Sequence, residues 1–164
     1  MKLKALVAIL AITILVTACK PRGNDDSRYE TVPDGAWCYG DTLSFPLQLA
    51  DTLVRGNLTL ALEHSPQYKY GNVWLELTYA TIAPDSTATF VRDTMNIPMA
   101  DGQGNWIGTG LASTYQLETP PVEILLDARK PITLRHIMRT DTLKGITRAG
   151  LFFKASPTNP DEQQ

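Results

Sequence analysis

Val73-Trp74-Leu75-Glu76-Leu77-Thr78-Tyr79 is the stretch on which the fold class turns. Val73, Leu75, Leu77 and Tyr79 fall on every second position, with Trp74, Glu76 and Thr78 between them. A period of two predicts a strand with one face buried and the other toward water. The same alternation stands upstream. Leu43, Phe45, Leu47 and Leu49 form one run, and Leu58, Leu60 and Leu62 form another, predicting two further strands in antiparallel arrangement. Pro46 inside the first run removes a backbone donor and points to an edge or a bulge.

Downstream, Ala83-Pro84-Asp85-Ser86 reads as a turn, and Thr87 to Pro98 as the returning strand. Asp101-Gly102-Gln103-Gly104-Asn105 is the strongest turn signal in the chain. Trp106 to Leu111, Val122 to Leu126, and Gly145 to Phe153 read as extended segments. Ile132 to Met138 fits a strand or a short helix, with Pro131 favouring the strand. Frequent turn residues and no long helical period predict a single all-β domain over residues 35–155, an antiparallel β-sandwich of about six to eight strands.

The amino terminus has a different character. Lys2 and Lys4 precede the 12-residue apolar run Ala5 to Val16, and Leu15-Val16-Thr17-Ala18-Cys19 has the form of a bacterial lipoprotein cleavage site. A bilayer core of roughly 30 Å needs about 20 apolar residues, so the run is short for a membrane span. Residues 1–18 are expected to be a signal peptide and Cys19 the site of lipid attachment; the alternative is a plain secretory cut near Ala18. Residues 19–34 are polar and carry two prolines, which predicts a flexible tether, and 156–164 predict a disordered tail. A lipid anchor makes the membrane the first partner.

Cleavage removes two of the 15 basic residues and leaves 13 against 17 acidic ones, so the mature chain is mildly acidic. There is no basic face with interleaved aromatics, and nucleic acid is not an expected partner. With Cys19 acylated, Cys38 is the sole thiol. Its place beside Trp37 and Tyr39 predicts a small buried hydrophobe.

No spacing selects a metal, a cofactor or a catalytic set. His64 and His136 stand apart from any ligand spacing. Asp101, Gln103 and Asn105 resemble the start of a calcium loop, but Trp106 and Ala112 replace its glycine and its bidentate glutamate; a hairpin turn explains the series, and a looser calcium site stays open. Glu76, Asp93 and Asp101 are acids that a fold would have to assemble before glycoside hydrolysis were possible. The chain is expected not to be an enzyme. Trp106, Gly108 and Gly110 share one face of an extended chain, an indole beside a bare strip of backbone. That strip either receives a neighbouring aromatic in the core or, together with Trp74, offers a partner surface for a protein or a sugar.

In order along the chain, several blocks carry a family likeness. They are Cys19, Gly35-Ala36-Trp37, Asp41 to Phe45, Tyr70-Gly71-Asn72-Val73-Trp74, Asp93-Thr94, Met99 to Gly110, His136-Ile137-Met138-Arg139, and Leu143 to Gly150. Together they resemble the GldH-type gliding motility lipoprotein family, and the Ala-Asp-Gly-x-Gly-x-Trp-x-Gly-x-Gly block is the most specific element. The resemblance implies an outer-membrane or periplasm-facing lipoprotein of the cell envelope, with partners in the gliding machinery and, less directly, type IX secretion; Pro21 and Arg22 interrupt the acidic tract of Asp25 and Asp26 after Cys19, which favours the periplasmic leaflet. It implies no catalytic residues. Cys38 departs from the pattern, so no thiol role comes with the likeness.

Overall fold

The computed structural model describes residues 23–111 and 113–157. The expected leader, Cys19 and all of the expected tail beyond residue 157 lie outside them. The described chain is built of strands: β1 (Asp26–Thr31), β2 (Ala36–Cys38), β3 (Leu43–Phe45), β4 (Leu53–His64), β5 (Asn72–Ile82), β6 (Ala88–Pro98), β7 (Thr109–Leu111), β8 (Thr114–Glu118), β9 (Val122–Asp127), β10 (Ile132–His136), β11 (Thr142–Lys144) and β12 (Ile146–Ala155). Twelve strands replace the expected six to eight. β1, β2, β8 and β11 are the additions, short or polar segments without a strong apolar alternation.

The strands form two antiparallel sheets. In the first, β12 lies between β1 and β4, and the far side of β4 is shared: β9 pairs with Leu53 to Leu58 and β8 with Ala61 to His64, with β7 beyond β8. The second runs β3-β10-β5-β6, and β2 with β11 makes a separate ribbon. β3 and β4 are therefore not partners of each other; the sequence places them in succession, but the chain crosses between sheets at residues 46–52.

The alternation read from the sequence sets the core. Val73, Leu75, Leu77 and Tyr79 of β5 and Leu134 of β10 are buried, as are Leu58, Leu60 and Leu62 of β4 and Leu151 and Phe153 of β12. Each fully buried side chain of this kind contributes about 2 kcal/mol. Ile132 to His136 is a strand, which resolves the strand-or-helix ambiguity: Ile132, Leu134 and His136 face inward.

Two expectations give way here. Residues 26–31 are not tether but β1, paired along its whole length with Arg148 to Phe153 of β12. Cys38 is exposed, because β2 alternates and Trp37 takes the inward position. The Trp37 indole donates to the Asp41 carbonyl at 3.0 Å, so the core place next to the thiol is already filled.

Candidate functional site

The Asp101 turn organises one end of the sandwich. Asp101 Oδ1 accepts from the backbone N–H groups of Gln103 and Asn105, each at 2.9 Å, and its Oδ2 accepts from Asn105 Nδ2 at 2.9 Å. The Asn105 side-chain bond is the chief reason the carboxyl titrates below the usual range. Both oxygens are thus engaged within the loop, the side-chain-to-backbone pattern of an Asx-type turn. The loop closes through the Ala100–Trp106 bridge and the Ile107 N–H donating to the Met99 carbonyl at 2.8 Å.

Trp106 is thereby turned into an aromatic cluster. Its ring lies 4.6 Å from His64 between centroids and 6.1 Å from Tyr115, which stacks on His64 at 5.4 Å. Gly108 then follows in the left-handed region at φ +101, and a Cβ there would fall on the Gln116 carbonyl of β8. At Gly110 a Cβ would meet the Thr114 carbonyl and come within 2.8 Å of the Tyr115 ring. The glycines let β7 approach β8 and its tyrosine closely, while both glycines remain exposed.

Trp74 is placed differently. It stands on the outer face of β5, 41% exposed, and with Tyr70, Thr94, Ile137, Met138 and Arg139 lines a groove of about 600 Å³. The backbone beneath is held by the Ile137 N–H donating to the Trp74 carbonyl at 2.9 Å, and by the Trp74 N–H directed at Met138 Sδ at 3.3 Å. Arg139 is exposed and has no ion pair among the described residues. Trp74 and Trp106 do not touch. They are joined through Tyr70 and the buried Tyr68, whose ring lies 5.7 Å from Tyr70 and 6.2 Å from Trp106. Burial raises the Tyr68 phenol pKa, and its hydroxyl donates to the Asn72 carbonyl at 2.7 Å.

Tyr70 and the Ile137-Met138-Arg139 segment were not singled out as site residues by their chemistry. They were nonetheless within reach: Tyr70 to Trp74 and His136 to Arg139 are two of the blocks that carry the family likeness, and the fold brings them together around one groove.

The acids are dispersed. Glu76 receives Arg135 at 2.8 and 3.1 Å, with Arg92 at 3.5 Å; the Arg135 hydrogen bond holds its carboxyl below the usual range. Asp93 belongs to the opposite face of the sheet, since it pairs with inward Leu77 while Glu76 pairs with Thr94. Among the described residues no three His, Cys, Asp or Glu side chains are grouped to hold a metal ion.

The profile of one family, described as GldH lipoprotein, matches residues 26–152, from the first residue of β1 into β12. The chain belongs to the GldH lipoprotein family. It is thus a gliding-motility-related lipoprotein, and GldH membership associates it with the cell envelope through a lipid anchor. A search of curated proteins finds no match. Among solved structures, the VP2 subviral particle of infectious bursal disease virus is similar over 89% of this chain and 36% of that one, at 12% identity and a TM-score of 0.32. The Gt strain structure of the same virus is similar over 85% and 44%, at 14% identity and a TM-score of 0.20. The chain therefore spans less than half of the viral chains it matches.

Proposed function

We propose that this GldH-family chain is a non-catalytic docking component of the gliding machinery, linked to type IX secretion and held at the periplasmic face of the outer membrane by acyl chains on Cys19. The observation that carries the reading is the Trp74 groove, where exposed aromatics stand beside an arginine without an ion pair among the described residues. Trp, Tyr and Arg are the residues that dominate binding energy at protein interfaces. The partly buried carboxylates Glu63, Glu76 and Asp127 each sit against an arginine, a structural use that supports a scaffold. Tethering raises the effective concentration of the groove toward any partner in the same membrane.

The test uses the full-length acylated protein with Tyr70→Ala, Trp74→Ala and Arg139→Glu combined. Loss of envelope-protein co-purification and of gliding, at unchanged thermal stability, is the expected result; retention of both sinks the reading. The exposed Trp74 indole also suits a sugar ring, so a carbohydrate-binding module is the second reading. A glycan array that lights up with this protein and goes dark with the triple variant would favour it.

A further inference from the structure

The tethered end of the sandwich is fixed by bonds close to the acylation site. The Gly23 carbonyl accepts from the Ala50 N–H at 3.1 Å, the Asn24 side chain bonds Asp51 at 2.7 and 2.9 Å, and Asp25 Oδ1 accepts from the Ala155 N–H at 2.8 Å. Only four peptide steps separate Cys19 from Gly23, a span of at most about 14 Å. A sixteen-residue tether would let the body turn freely over the bilayer. With residues 23–31 taken into the fold, that end of the body lies within about 14 Å of the acylation site.

The loops that gather at that end can be followed by contact. Thr52, two residues beyond Ala50, accepts from the Ala128 N–H at 2.8 Å. Asp127, Arg129 and Lys130 line one shallow hollow with Ala80, Ala88, Thr89 and Phe90. Phe90 is 64% exposed and Leu53 40%. Arg129 is engaged with Asp127 at 2.6 Å, whereas Lys130 has no ion pair among the described residues. An exposed phenylalanine next to a free lysine is the composition of a surface that sits at headgroup depth, ring toward the acyl boundary and ammonium toward phosphate. Of the acids at this end, Asp127 is paired with Arg129 and Asp26 with Arg28, while Asp25, Asp51 and Asp85 are held by neutral hydrogen-bond donors.

We infer that this end face, centred on Phe90, Leu53 and Lys130, rests on the phospholipid headgroups of the leaflet that anchors Cys19. Its occupant is the bilayer surface, and the argument for that occupant is the shortness of the chain leading to it. The consequence is an orientation. Trp74 pairs with Asn96, six residues along β6 from Phe90, so the groove stands about 20 Å further from the membrane. The Asp101 turn lies beyond it.

The inference rests on acylation of Cys19, and its test separates the two. Full-length acylated protein carrying Cys38→Ser and either Phe90→Cys, Lys130→Cys or Gln103→Cys is labelled with a fluorophore. It is then reconstituted into phosphatidylethanolamine and phosphatidylglycerol vesicles containing a headgroup-region spin-labelled lipid. Positions 90 and 130 are expected to be quenched at least about threefold more than position 103, which stands about 25 Å or more up the strands. The Lys130→Cys label keeps the test open should Phe90→Cys disturb the fold. Intact mass and vesicle co-flotation report the anchor. An unmodified Cys19 overturns the anchor and this inference with it. An acylated, co-floating protein with equal quenching at the two ends overturns the orientation alone, as does a label at position 90 shielded from lipid and aqueous quenchers alike, the sign of a second copy covering the face.

Discussion

The Trp106 indole meets the His64 ring edge to face at 4.6 Å, joining the most family-specific turn of the chain to the end of β4 in the first sheet. His64 is fully buried on β4, its Nδ1 lies 3.2 Å from the Ser65 carbonyl, and its Nε2 has no hydrogen-bond partner. The indole is one of three aromatic rings, with Tyr68 and Tyr115, that pack against the imidazole. Trp106→Ala is expected to lower stability by about 3 kcal/mol in urea titration. It should also move the His64 pKa upward, since burial is the main cause of its depression. Proton NMR of the ring follows this directly; an unmoved titration would mean that Tyr68 and Tyr115 suffice to enclose it.

Gly108 and Gly110 give the second prediction. A methyl at either position collides with β8 backbone, and Gly108 has a φ of +101 that other residues avoid. Gly108→Ala and Gly110→Ala should each lower the melting temperature, by about 4 °C or more for a loss of 1 kcal/mol in a domain of this size. Capture of partners should fall only as far as the folded fraction does. A variant that keeps its melting temperature yet loses its partners would return the strip to the role of a docking surface.

What the sequence made legible follows from which forces leave a mark on composition. Burial does, and the faces of β5 and β4 could be assigned from Val73 to Tyr79 and Leu58 to Leu62. Backbone pairing at a sheet edge does not. β1 is Asp-Ser-Arg-Tyr-Glu-Thr, polar on both faces, and it is held by a ladder to β12 that any composition can make. Cys38 shows the limit of neighbour arguments, because adjacent residues on a strand face opposite ways and Trp37 and Cys38 cannot both point inward. The Trp74 groove was half visible. Trp74 could be named on strand parity, but its partners Met138 and Arg139 reach it through β10 pairing with β5, a long-range register that no local pattern records.

β1 supplies the third prediction. Tyr29 meets Phe152 edge to face at 5.4 Å, and the Arg148 guanidinium lies 4.5 Å over the Tyr29 ring. Gly150 lies beneath that ring, where a Cβ would come within 2.5 Å of it. A chain trimmed to begin at Gly35 loses these contacts and bares the β12 edge. Its stability should drop by at least about 2 kcal/mol, while a chain beginning at Gly23 should match the parent in chemical denaturation. Equal stability of the two would show that residues 26–31 are dispensable to the fold.

The two buried histidines set the pH dependence. His136, on the second sheet, sits edge-on to Trp37 at 5.6 Å and Tyr39 at 5.7 Å, with neither ring nitrogen paired. Burial depresses both His64 and His136 below the ordinary value of 6.5, against weaker upward pulls from the Ser65 carbonyl on His64 and from Trp37, Cys38 and Asp41 on His136. Below pH 6.5 the unfolded chain takes up protons that the folded one refuses, so stability is complete above that value. It is lost as pH falls toward the depressed folded values, by at most about 1.4 kcal/mol per pH unit for each histidine. The carboxylates Glu76 and Asp127 are also depressed; their contribution begins to fall only as pH drops into the ordinary carboxylate range, so a decline that starts near pH 6.5 belongs to the histidines. Denaturant midpoints between pH 7.5 and 5 should therefore decline in the parent. His136→Phe, which keeps an aromatic edge against Trp37, should flatten that slope by about half if the two histidines contribute equally. A parent whose midpoint is level across the range would mean that both rings gain protons in the folded state as readily as in the unfolded one.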